Sequence, residues 1–246
     1  TQSRVIGGVP TNSTLTLAIA GGTTNTYRGF LGGDGTDENN LALVKKGGGV
    51  LALTAPSNTY TGPTTVEAGT LLVNALQGGG GLITVQGGGT LGGTGTVGAL
   101  GIEAGGTLAP GNSAGILAAA GAVTLAADSV FAVEINGLLA GTEFDQLAMD
   151  GNTLTISGSD LAISLGFSPT LGDSFALVTG LSGFDPGTGG TFKDKADGSM
   201  FSVGATEFQI DYSSSAITVT VVPEPHTIGL LGLALTGMLL RRRLRG

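Results

Sequence analysis

The chain has no cysteine and no tryptophan, and it has a single histidine, His226. Without cysteine there is no disulfide framework, no thiolate metal site and no cysteine nucleophile. One histidine, placed in the last stretch of the chain, leaves Ser-His-Asp catalysis and histidine metal sites without support. Aromatic residues are only 5% of the 246 positions, so Val, Leu, Ile and Ala must fill any core, and such residues suit a thin interior. Charge is scarce as well, at 11%, with 18 acidic against 10 basic residues. Four of the basic residues, Arg241, Arg242, Arg243 and Arg245, lie at the very end, which leaves the body strongly acidic. A body of that sign repels phosphates, so no nucleic-acid partner is expected. The chain opens at Thr1 with neither a start Met nor an apolar leader, which reads as a mature form or a fragment.

Glycine is abundant, 47 residues, but it follows no strict three-residue period, which excludes collagen. Apolar residues recur in short Thr/Val/Leu clusters between glycines, as strands between turns would, so charge-rich disorder fits poorly. Gly-Thr-Leu recurs at Gly69, Gly89 and Gly106, and Val123-Thr124-Leu125 continues the series. A degenerate period near twenty residues, built of short strands and Gly/Asn/Pro turns, predicts a β-solenoid, in which each coil buries its apolar face only by stacking on its neighbours. The length allows one or two domains. In "TTVEAGTLLV" the alternation sends Val66, Leu71 and Val73 inward, turns Thr65, Glu67 and Thr70 outward, and places a corner at Ala68-Gly69. Leu51 and Leu53 join the inward set.

The segment "LALTAPSNTYTGPTTVEAGTLLV", Leu51 to Val73, resembles the autotransporter-associated β-strand repeat: it has the Asn, the Tyr-Thr-Gly, the Thr-Thr-Val and the Gly-Thr-Leu in order, with Pro63 where a second glycine is usual. Residues 43–127 are therefore expected to be the solenoid. Residues 1–42 stay unassigned apart from a strand over Thr14 to Ile19 and an acidic loop. Beyond Asp128 longer strand-like segments appear, Val130 to Ile135, Phe144 to Met149, Thr153 to Ser157, Asp160 to Leu165, Ser174 to Thr179, Thr206 to Tyr212 and Ala216 to Val222. Turns at Asp150-Gly151-Asn152 and Ser157-Gly158-Ser159 separate them at hairpin-like spacing. Residues 128–222 thus read as wider coils that close the solenoid or as a small sheet domain packed on its end. They resemble the segment that commonly follows such repeats in exported bacterial proteins.

The tail, residues 223–246, reads Pro-Glu-Pro, apolar run, arginine cluster. Pro223 and Pro225 stop the sheet. From Thr227 to Leu240 there is no charge, but at about 1.5 Å per residue this run reaches ~21 Å, short of a ~30 Å hydrocarbon core. A helix starting near Pro225, with its arginines snorkelling, makes a short transmembrane span with the basic cluster on the cytoplasmic side. The order resembles the PEP-CTERM sorting signal. That resemblance implies an exosortase-type membrane protease as partner, Pro223, Glu224 and Pro225 as recognition motif, Arg241, Arg242, Arg243 and Arg245 as membrane stop, and cleavage of the tail.

Catalytic candidates are few. Asp145 with Asp150, or Asp194 with Asp197, could pair as carboxylates do in β-helix lyases and hydrolases, but acids at this spacing are ordinarily solvated turn residues. "GGDGTD", Gly32 to Asp37, fits the start of a calcium-binding nonapeptide, although Asn39 stands at its apolar position and there is one copy. Asp34, Asp37 and Glu38 are the calcium candidates, and "KDKADGS", Lys193 to Ser199, is a weaker loop of the same kind. No other cofactor is expected, because the glycine runs lead into strand pattern and not into a phosphate-binding helix. The expectation is a non-enzymatic, exported surface or matrix protein with a structural or adhesive role towards polysaccharide or neighbouring copies. A carbohydrate-active enzyme and a self-assembling fibre subunit are the alternatives. A groove gathering three or more carboxylates or bases would favour the enzyme, and a flat Thr/Ser ladder the structural protein.

Overall fold

The computed structural model describes residues 3–78 and 80–224. Strands follow one another from Arg4 to Val221, and from Ser13 on successive strands turn through three sheets in rotation. One sheet stacks Ser13–Ala18, Leu41–Lys46, Thr64–Val66, Ile83–Val85, Leu100–Ile102, Val123–Leu125 and Leu154–Ile156. A second stacks Thr24–Tyr27, Val50–Leu53, Gly69–Val73, Gly89–Gly93, Thr107–Pro110, Val130–Ile135 and Asp160–Leu165. The third runs from Ser57–Asn58 through Leu76–Gln77, Thr96–Val97, Ile116–Ala119 and Gln146–Ala148 to Ser174–Thr179. All pairings along these stacks are parallel, so the fold is a three-sided β-solenoid.

Register makes the core. Leu51, Leu71, Leu91, Leu108, Phe131 and Leu161 lie one above another in the second sheet, and Val66, Val85, Ile102, Leu125 and Ile156 do so in the first. All are buried, as are Leu53 and Val73, so the inward assignment of Leu51, Leu53, Val66, Leu71 and Val73 holds. The period of two sends the residues between them outward. Thr65, Thr84, Thr124 and Thr155 form an outer ladder on the first sheet, interrupted by Gly101, and Thr70, Thr90 and Thr107 form one on the second. Corners are tight. Gly69 has φ +66°, and a Cβ there would lie 2.4 Å from the Gly47 carbonyl oxygen of the coil below, so only glycine fits.

The repeat's polar residues have structural tasks of their own. Tyr60 turns inward, wholly buried, and its hydroxyl lies 2.6 Å from Thr64 Oγ1, while Gln77 Nε2 donates to Tyr60 Oη at 2.7 Å. Burial pushes the Tyr60 hydroxyl up to about 12, against those two hydrogen bonds. Asn58 Oδ1 accepts from the Leu31 backbone N at 3.0 Å and so fastens the second coil to the first. Asn58, Tyr60 and Thr64, the first Thr of the Thr-Thr-Val, are therefore interior residues of the corner between the third and first sheets.

Two expectations need correction. Residues 13–31, left without a domain, lay down the first coil: Ser13–Ala18 pairs in parallel with Leu41–Lys46, and Thr24–Tyr27 with Val50–Leu53. The turns after Met149 and Ile156 are not hairpins. Gln146–Ala148, Leu154–Ile156 and Asp160–Leu165 belong to three different sheets, because a coil corner uses the same Gly/Asp/Asn/Ser chemistry as a hairpin turn. Apart from isolated bridges, antiparallel pairing between strands starts at Ser174–Thr179 with Ala216–Val221 and continues through Thr206–Tyr212 to Met200–Val203. Wider coils and a terminal sheet thus both occur. Most of the few aromatic residues gather there: Phe131 stacks on Phe192 at 5.7 Å, Phe144 meets Phe175 edge-on at 5.5 Å, and Phe184 stacks on Tyr212 at 6.1 Å. They close the end that aliphatic coils alone would leave open. Among the described residues the one helix is Pro186–Gly189, and no helix is long and apolar enough to cross a membrane. The expected transmembrane helix lies outside the described residues.

Candidate functional site

The last strand ends at Val221, and the Val222 backbone N donates to the Glu207 carbonyl at 3.0 Å. Pro223 and Glu224 follow, exposed. Pro223 can neither donate to a ladder nor extend the strand, so the chain leaves the sheet at this point with its backbone accessible. Pro225 and Arg241, Arg242, Arg243 and Arg245 lie outside the described residues.

The three calcium candidates do not converge. Asp34 is solvent-exposed and 3.4 Å from Arg4 Nη1, Glu38 Oε2 accepts from the Gly35 N at 2.9 Å and lies 3.8 Å from the same arginine, and Asp37 Oδ1 accepts from Asn40 Nδ2 at 3.0 Å. One oxygen of each meets Arg4 or a donor of the loop itself. Among the described residues no three of His, Asp and Glu come together in a way that could hold a metal ion.

Of the carboxylate candidates, Asp150, Asp194 and Asp197 are exposed turn residues, and Asp197 Oδ1 accepts from the Tyr212 N at 2.9 Å. Asp145 differs. It is 2% exposed and lines a groove of about 490 Å³ on the outer side of the second sheet, among the small residues Gly92, Ala109, Ala132 and Ala162. Its partner is not Asp150 but Glu134, which nothing in the spacing had marked. Asp145 Oδ1 accepts from the Gly115 N at 2.9 Å and Oδ2 from the Glu134 N at 2.8 Å. Both oxygens thereby clamp the turn after Pro110 to the strand Val130–Ile135. Burial, assisted by the neighbouring Glu134 charge, pushes the Asp145 carboxyl up to about 6 against these two bonds. Glu134 and Asp145 are the only ionisable residues lining the groove among the described residues, fewer than the three that would favour an enzyme.

The clamp has a pH signature. The folded pKa of about 6 stands above the unfolded ~3.8, so between these values the native state holds a proton that the unfolded chain has released. Stability from this group is complete below pH ~4 and is lost as pH rises through 6, by about 3 kcal/mol at most. Urea denaturation of wild type and Asp145→Asn at pH 4 and pH 7 should show the wild type's margin over the variant shrinking with pH. A margin independent of pH would refute the buried-carboxylate account.

Two comparisons with known families bear on these surfaces, whereas the curated proteins provide no match. Residues 43–73, the second coil and the first two strands of the third, match the passenger-associated-transport-repeat model, and residues 221–243 match the PEP-CTERM protein-sorting motif, so that the sorting motif begins where the last strand ends.

Proposed function

We propose that the protein is an exported structural solenoid of the bacterial surface or extracellular matrix, delivered through its tail. The observation that carries the proposal is the position of the sorting motif: its match starts at Val221, the last residue of the last strand, and Pro223 and Glu224 follow it exposed and outside the sheet. A membrane protease of the exosortase type accepts such a segment in strand-like form. The apolar run holds the segment at the membrane surface, and Arg241, Arg242, Arg243 and Arg245 stop translocation on the cytoplasmic side. The mature body then offers its threonine ladders to polysaccharide or neighbouring copies, in a structural or adhesive role. The ladders and a groove with two carboxylates support this reading over that of a carbohydrate-active enzyme.

In the native host, Glu224→Ala is expected to leave full-length protein in the membrane, while wild type appears outside with its C-terminus near Val222 to Pro225. Mass spectrometry of the released fraction decides. Intact chains ending at Gly246 in that fraction would overturn the proposal.

A further inference from the structure

The groove of about 490 Å³ on the outer side of the second sheet crosses the strands and so runs along the stack of coils. Its floor is one outward column of that sheet. Leu72, Gly92 and Ala109 stand in register, and Ala132, one residue beyond the Leu108–Phe131 pair that continues the stack, pairs with Ala162. Leu72 closes the column at one end. From Gly92 to Ala162 every side chain is a hydrogen atom or a methyl group, so the floor is flat and apolar.

The banks are polar. Thr70 and Thr90, in the outward column two residues back, form one of them. Asn112, Ser113 and Ser164 form the other, together with Glu134, which pairs in register with Ser164. Asp145 is committed to the fold, because both of its oxygens accept from backbone N–H groups. Glu134 is exposed, and its Oε2 accepts a long hydrogen bond from Ser113 Oγ at 3.4 Å. Among the described residues no lysine, arginine or histidine lines the groove.

A volume of this size is ordinary for a ligand site. A flat apolar floor between hydroxyl and amide banks suits a chain of sugar rings, which lay a face of C–H groups on the floor and point their hydroxyls sideways. An extended peptide fits less well: it advances ~3.3 Å per residue against ~4.8 Å per coil, and it would set its own N–H and C=O groups over methyl groups that cannot pair them. Charge narrows the class further. A net charge of −8 repels an anionic polymer and draws a cationic one, and Glu134 is the exposed carboxylate that a positive group in the groove would meet. We infer that the groove binds an unbranched glycan carrying free amino groups, its rings lying along Gly92, Ala109, Ala132 and Ala162 and one ammonium on Glu134. The inference rests on the reading of the body as a partner of polysaccharide and assigns that contact to one site.

Isothermal titration calorimetry on the full chain, held in a non-ionic detergent at about pH 6, where ordinary carboxylates are ionised, tests it with two probes, the hexamer of glucosamine and its fully N-acetylated counterpart. The glucosamine hexamer is expected to bind at least tenfold more tightly, with an affinity that falls as salt rises. Glu134→Gln should erase that preference. Ala162→Trp, which raises a ring from the floor, should weaken both probes at least tenfold, and circular dichroism should keep the wild-type melting curve for both variants, because both positions are exposed. No binding of the glucosamine hexamer, equal affinity for the two probes, a preference that survives Glu134→Gln, or tighter binding of a hexalysine peptide would each overturn the inference. Hexamer binding that survives Ala162→Trp would overturn it too, while leaving the body a partner of polysaccharide at another surface; sorting through the tail is decided separately by the C-terminus of the released protein.

Discussion

Leu71→Asp is expected to abolish cooperative folding of the solenoid. Leu71 is 0% exposed and sits in the column between Leu51 and Leu91, so its side chain touches the coils on both sides. Removing a buried leucine side chain alone costs roughly 3–5 kcal/mol, and an unpaired carboxylate in its place adds several more. The sum reaches the whole stability of an ordinary domain, about 5–15 kcal/mol. Because each coil is held only by its neighbours, the damage also uncouples the coils before Leu71 from those after it. Thr70→Asp, one residue away on the outer face, is the control and should cost less than about 1 kcal/mol. Thermal melts followed by circular dichroism would show the first variant without a native transition and the second close to wild type. An unchanged melt for Leu71→Asp would mean that the register is wrong by one residue, which moves every side chain to the opposite face.

That register was readable because the coil is a strand problem repeated. An inward-outward alternation with glycine at each corner fixes Leu51, Leu53, Val66, Leu71 and Val73 without long-range information, and the rise to longer segments after Asp128 marks the wider coils. Four strands there, Val130–Ile135, Asp160–Leu165, Ser174–Thr179 and Thr206–Tyr212, have the bounds that their apolar pattern predicts. The sheet to which a strand belongs was not readable, because parallel and antiparallel neighbours share one local pattern and the choice is made by contacts a whole coil away. For the same reason the sequence does not mark Glu134 as the neighbour of Asp145. Strand Val130–Ile135 and the segment that carries Asp145 come together through the isolated bridge between Ile135 and Phe144, which has no sequence signature.

Polar residues in the interior were the other blind spot. Hydroxyl and amide side chains on a strand ordinarily read as outward, yet Asn58, Tyr60, Thr64 and Gln77 point in because each meets a hydrogen-bonding group of an adjoining strand or corner. The sorting tail was legible for the opposite reason. Its order of proline, apolar run and arginine is a linear signal that needs no fold to be recognised, and the structure adds only that the signal starts where pairing stops.

Lys45→Met is expected to destabilise the protein by roughly 3 kcal/mol, while Lys46→Met costs less than about 1. Adjacent lysines on one strand must face opposite ways. Lys46 turns out and meets Glu67 at 2.9 Å, with both side chains more than a third exposed, so its ion pair is screened and weak. Lys45 turns in, stacked below Val66, and is 0% exposed. Its ammonium donates to the carbonyls of Lys46 at 3.1 Å, Gly47 at 2.8 Å and Ala68 at 2.9 Å, and so ties the glycine corner of the second coil to the corner of the third. Burial lowers its pKa. The folded state therefore binds this proton less tightly than the unfolded chain does, and stability from Lys45 grows as pH rises from the folded pKa towards the ordinary lysine value. Relief from burying a charge favours the methionine, as it does where a whole buried ion pair is replaced by apolar groups. Here the acceptors remain, however. Met fills the stem's volume and leaves the Gly47 and Ala68 carbonyls without a donor, at about 1–3 kcal/mol each, and that cost exceeds the relief. Urea denaturation at pH 7 ranks the two variants. A Lys45→Met protein as stable as wild type would show that the corner carbonyls find other partners and that the buried ammonium is dispensable.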